Sequence, residues 1–187
     1  MFMNLIENIL EEHGKAVEYV KKEAAALEKI ASVIVEAINK GNKILFAGNG
    51  GSAADSQHFA AEISGRFKKE RKGLPGISLT TDTSALTAIA NDYGFENVFS
   101  RQVEALAKPG DAFVCFSTSG NSPNIFKAAD KALEIGCKTI GFLGKDGGTI
   151  NKKCSISFIV SSPVTARIQE AHLLAYHIVC EIIDNSF

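Results

Sequence analysis

Short apolar runs alternate with amphipathic helical patterns through the middle of this chain, and that alternation constrains its architecture more than any other feature. The runs occupy residues 43–47, 76–79, 112–117, 138–143 and 156–160. Helical patterns fill residues 52–66, 84–90, 96–107 and 122–135 between them. Each run is short enough for a strand and apolar enough to be buried on both faces. Strands that take turns with helices form a parallel sheet covered on both sides, so the expected fold class is α/β with a five-stranded parallel sheet flanked by helices. In such sheets a ligand crevice lies beyond the carboxyl ends of the strands.

Longer helical patterns flank this core. Residues 5–39 are rich in Ala, Glu, Lys and Leu, with Val17, Val20, Ala24, Leu27, Ile30, Ile34 and Ile38 at three- and four-residue spacing and a break expected near His13–Gly14. A second amphipathic pattern covers residues 165–183. Terminal helices with this much apolar surface commonly pair with a partner subunit. No linker, repeat or low-complexity tract divides the chain, so residues 1–187 read as one domain. With 20 basic and 21 acidic residues, the sequence has no basic stripe for nucleic acid and no polybasic tail for a membrane surface. The start, M-F-M-N-L-I-E-N-I-L-E-E-H, is acidic and unlike a signal peptide. Cys115, Cys137, Cys154 and Cys180 lack both C-x-x-C and disulfide-framework spacing. They read as buried small hydrophobes in a reducing, cytoplasmic protein.

Two turns carry the chemistry. After the first run, A-G-N-G-G-S-A-A-D-S-Q-H-F-A-A-E opens a helix at Ser52 behind Gly48, Gly50 and Gly51. Glycines permit close backbone approach, and a helix N-terminus favours an anion such as phosphate. The match to a dinucleotide fingerprint fails at the acidic residue that should close the second strand, and no Lys-Ser/Thr follows the glycines. No nucleotide cofactor is therefore expected. Taken alone, the turn is equally readable as a plain strand-to-helix connection. The second turn, F-S-T-S-G-N-S-P, crowds Ser117, Thr118, Ser119 and Ser122 around Gly120. Hydroxyls and backbone N–H groups together satisfy phosphate oxygens. Its plainer reading is an N-cap, with Ser122 as cap and Pro123 at the first helical position. Two such turns at one sheet edge favour a phosphate pocket.

His58 and Glu62 follow four residues apart and therefore share a helix face. Near the C-terminus, Gln169, His172, Tyr176 and His177 interrupt an otherwise apolar helix. A histidine there is ordinarily a core or interface residue, and His177 with Glu181 reads equally well as an ion pair. His13 reads as a surface residue at a helix end.

These segments, with A-N-D-Y-G-F-E and R-I-Q-E-A-H-L-L-A-Y-H, occur in the order and spacing of the sugar isomerase (SIS) domain family. Within it the chain resembles the phosphoheptose isomerases over nearly its whole length. The resemblance implies a SIS-type three-layer fold, a homotetramer, and active sites shared between subunits. It also implies isomerisation of sedoheptulose 7-phosphate to D-glycero-D-manno-heptose 7-phosphate, the first step toward the heptoses of bacterial surface polysaccharides. By position it makes Asn49, Gly50, Gly51, Ser52, Glu62, Asn91, Asp92, Ser117, Thr118, Ser119, Ser122 and Gln169 substrate-binding residues. Glu62 and His177 become the catalytic pair. His58, Glu62, Gln169 and His177 become ligands of one Zn2+ per subunit in members that bind it. Family members that bind a replication-initiator partner, or sense a sugar phosphate without turning it over, are the competing expectation.

The chemistry fits the residues. Moving a proton between adjacent carbons needs a base, for which Glu62 is suited, and a proton donor at the carbonyl oxygen, for which His177 is suited. His58 and Glu62 can share an ion easily. Gln169 and His177 lie about 12 Å apart along a helix axis and about 80° apart around it, so they meet at one ion only by leaning toward each other.

Overall fold

The computed structural model describes residues 2–187, and the expected sheet is present. Strands β1 (Ile44–Ala47), β2 (Gly76–Ser78), β3 (Ala112–Ser117), β4 (Lys138–Gly144) and β5 (Ile156–Val160) pair in the order β2-β1-β3-β4-β5. Every pairing is parallel. Helices α1 (Phe2–Lys22), α2 (Ala24–Asn39), α3 (Gly51–Ser64), α4 (Thr83–Tyr93), α5 (Ser100–Leu106), α6 (Pro123–Ile135) and α7 (Thr165–Asp184) surround it.

Alternation along the strands builds two cores, one on each face. Ile44, Phe46, Ala112, Val114, Phe116, Ile140, Phe142, Phe158 and Val160 point to the face covered by α1, α2, α3 and α7. Leu45, Ala47, Phe113, Cys115 and Leu143 point to the other, where α5 and α6 pack. Because both faces are covered, the strands read as unbroken apolar runs rather than as polar–apolar alternation. Strand order turns around β1, with β2 on one side and β3 on the other. The C-terminal ends of β1 and β3 therefore sit side by side at the switch point where such sheets bind ligands. The glycine turn and the serine turn both leave from there.

Three details depart from the sequence reading. The N-terminal helices break at Glu23, not at His13–Gly14. Gly14 costs a helix about 1 kcal/mol relative to Ala, which the packing of Ala16 and Val20 into the core outweighs. His13 lies in mid-helix, its Nδ1 2.7 Å from Glu170 Oε2. The 96–107 pattern divides into a 3₁₀ turn, Phe95–Asn97, and α5. Among the cysteines, Cys115, Cys137 and Cys180 are buried as expected, whereas Cys154 is half-buried; all four are free thiols. Among the described residues no helix is long and apolar enough to cross a membrane.

Candidate active site

Helix α3 begins where the chain makes its closest approaches. A β-carbon on Gly48 would overlap the Ser52 carbonyl oxygen, so only glycine fits there. Gly50 sits at φ 56°, a conformation glycine adopts without strain. A β-carbon on Gly51 would lie 2.5 Å from Gln169 Nε2, which places the α7 carboxamide directly against the glycine turn. Asn49 and Asn124 exchange two amide hydrogen bonds of 2.8 Å, tying this turn to the start of α6. Ser52 is buried just inside the helix.

In the second turn the Ser117 hydroxyl lies 3.1 Å from that of Ser122 and 3.5 Å from that of Ser119. The Gly120 N–H donates to Ser117 Oγ over 3.1 Å. Ser122 occupies the N-cap position of α6 with Pro123 behind it, yet its side chain makes no capping bond and pairs with Ser117 instead. The cap reading is thus right about position and not about bonding. A β-carbon on Gly120 would overlap the Gly147 carbonyl, and one on Gly144 the Thr118 carbonyl. The turn is therefore pressed onto the end of β4, with its hydroxyls gathered together.

Two turns further along α3 are the titratable groups. His58 Nε2 lies 3.0 Å from Glu62 Oε1 and 3.5 Å from His177 Nε2 on α7. Ligand atoms of His58, Glu62 and His177 all lie within 4.8 Å of one another. Two imidazoles and a carboxylate, reachable from solvent, match a zinc site with three protein ligands and an open position. Burial, then the neighbouring His58, holds the His177 pKa below the ordinary histidine value, against the pull of Glu62. The Phe67 ring lies 5.4 Å from the His177 imidazole and walls one side of the cluster.

The Gln169 carboxamide rests at Gly51, seven residues or about 10 Å of helix axis before His58. Eight residues of α7 separate Gln169 from His177. Asn91 and Asp92 lie exposed on α4, hydrogen-bonded to each other at 2.8 Å.

Several residues here were given no part in the site by the sequence reading. Asn124 looks like an ordinary first-turn residue until its pairing with Asn49 is seen. Asp55, one turn before His58, is buried, with its pKa pushed up to about 6 by burial. Tyr176 places its hydroxyl 2.9 Å from His58 Nδ1. Arg71 donates to the Glu62, Ile63 and Gly65 carbonyls at 2.9, 3.1 and 3.4 Å and closes the end of α3. His172 is a core residue: fully buried, hydrogen-bonded to the Leu143 carbonyl at 3.2 Å, its pKa pushed down to about 4 by burial.

Known proteins resemble this chain in sequence and in fold. The SIS domain family model matches residues 10–144. A phosphoheptose isomerase of Aliarcobacter butzleri is 55% identical over 181 residues, covering 97% of this chain and 96% of that one. The solved structure of phosphoheptose isomerase GmhA from Neisseria gonorrhoeae superposes with a TM-score of 0.93 at 42% identity, covering 99% of this chain and 100% of that one. The phosphoheptose isomerase structure from Francisella tularensis gives a TM-score of 0.95 at 34% identity, with 99% of each chain covered. The chain belongs to the SIS domain family, among its phosphoheptose isomerases.

Proposed function

We propose that this protein is an aldose–ketose isomerase that converts sedoheptulose 7-phosphate to D-glycero-D-manno-heptose 7-phosphate. The observation that carries this reading is the His58–Glu62–His177 cluster, set on the same pair of helices as the glycine turn. Proteins that it resembles over nearly their whole length bear the name of that activity.

The serine turn and the α3 N-terminus, through Asn49, Gly50, Gly51, Ser52, Ser117, Thr118, Ser119 and Ser122, hold the phosphate and the adjoining chain. Gln169 holds a sugar hydroxyl beside Gly51, and Asn91 and Asp92 complete the pocket from α4. With the phosphate end fixed, the first two carbons meet Glu62. Glu62 takes a proton from C1, and the C1–H electrons form the enediol double bond while the C2 carbonyl oxygen gains a proton from His177. The C1 hydroxyl proton then passes to His177, replacing the one it gave, as the aldehyde forms, and Glu62 returns its proton to C2. His58, Glu62 and His177 would hold a zinc ion. When bound, that ion would act as a Lewis acid toward the substrate oxygens.

Residues 1–187 would act as one SIS domain, in a cytoplasmic homotetramer supplying heptose for surface polysaccharide. Support for assembly comes from the first turns of α1, where Phe2, Met3, Leu5, Ile6, Ile9 and Leu10 are exposed. The test is turnover of sedoheptulose 7-phosphate by purified protein, before and after chelation and after return of Zn2+. Turnover that chelation removes and zinc restores supports both enzyme and metal. Turnover indifferent to chelation refutes the metal, and no turnover under any condition refutes the function.

A further inference from the structure

Tyr176 is fully buried, its ring stacked on Phe59 at 5.3 Å and meeting Phe116 edge-on at 6.1 Å. Packing of this kind fixes both side-chain torsions, so the core rather than solvent decides where the hydroxyl sits. That hydroxyl lies 2.9 Å from His58 Nδ1, while His58 Nε2 faces Glu62 Oε1 at 3.0 Å. An ionised carboxylate only accepts hydrogen bonds, so a neutral His58 carries its proton on Nε2 and presents a bare Nδ1. Tyr176 is then the donor.

We propose that Tyr176 is a positioning residue that fixes the ring orientation of His58. The proposal rests on the reading of His58 as the metal-side member of the active site. A histidine that ligates through one nitrogen depends on a fixed partner at the other, and loss of that partner typically weakens metal binding about 10–100-fold. When Nε2 is engaged as a ligand, the single ring proton resides on Nδ1 and the same hydroxyl oxygen accepts it. A hydroxyl serves in both directions, and a phenyl ring in neither.

The experiment compares wild type and Tyr176→Phe as purified, metal-free proteins. Zn2+ is titrated in competition with a chromogenic chelator, and the His58 ring nitrogens are followed by 15N NMR. Tyr176→Phe is expected to weaken zinc binding by about 10–100-fold, to shift the His58 Nδ1 resonance, and to lower kcat with little change in KM. A folded Tyr176→Phe protein with wild-type zinc affinity and wild-type His58 nitrogen resonances overturns the proposal. If wild type itself binds no zinc, the metal reading of the site fails, while the NMR comparison still decides whether Tyr176 holds the His58 ring.

Discussion

Glu62 and His177 touch the same imidazole from different helices, and neither belongs to the turns that would grip phosphate. Proton chemistry and substrate hold are therefore separable by substitution. Glu62→Gln and His177→Ala are each expected to lower kcat by about 10²–10⁴-fold, with inorganic phosphate still binding as measured by calorimetry; near wild-type turnover in either would defeat the assignment. His172, one turn before Tyr176 on the buried face of α7, shows up only in stability. Its folded pKa of about 4 lies below that of an unfolded histidine, so the unfolded chain binds more protons between the two values. The stability is whole above pH 6.5 and declines as pH falls toward 4, by up to about 3 kcal/mol. Urea unfolding at pH 7 and pH 4.5 should show that decline, and His172→Phe should flatten it even if it weakens the protein at pH 7. The His58–Glu62 pair was legible because four-residue spacing fixes a shared face. Tyr176 was not, because nothing in a helix rich in Leu, Ile and Ala announces which side chain will meet a histidine 118 residues away.

Helices α3 and α7 run side by side in the same direction, Gly51 against Gln169 and His58 against Tyr176 and His177. Two glycine substitutions separate what that alignment does. In Gly51→Ala the new methyl meets the far end of a flexible side chain, so Gln169 moves, KM rises and the melting temperature changes little. In Gly48→Ala the methyl meets backbone, and thermal stability falls with activity. Equal losses of stability in both variants would refute the distinction. The strap after α3 holds its C-terminal end: Arg71 is buried against Asp184 at 2.8 Å and caps α3 through the Glu62, Ile63 and Gly65 carbonyls. Arg71→Ala leaves the Asp184 charge in the interior and should cost about 3 kcal/mol in denaturant unfolding. Element positions were largely legible, since each apolar run is a strand within a residue or two. The break at Glu23 and the 3₁₀ turn at Phe95 were not, because tertiary packing overrode a glycine's weak preference in one case and divided a continuous helical pattern in the other. Nor did the sequence show that α7 would return beside α3, since that neighbour relation is set by strand order.

At the scale of the molecule, the sheet separates two cores, and the site draws on both: α3 and α7 from one face, the start of α6 from the other. The apolar start of α1 projects beyond them. Light scattering at low concentration is expected to give a mass near four chains, and Ile6→Asp with Leu10→Asp to reduce it; a monomeric wild type would refute assembly through this helix. The spacing between glycine turn and histidine cluster has a consequence of its own. It is seven residues of α3, about 10 Å, and helical rise rather than any side chain sets it. Point substitutions along the way leave that length untouched, whereas an inserted residue rotates the cluster by about 100°. Only whole added or deleted turns would preserve the facing while changing the distance, so the gap between the two is graduated in helix turns.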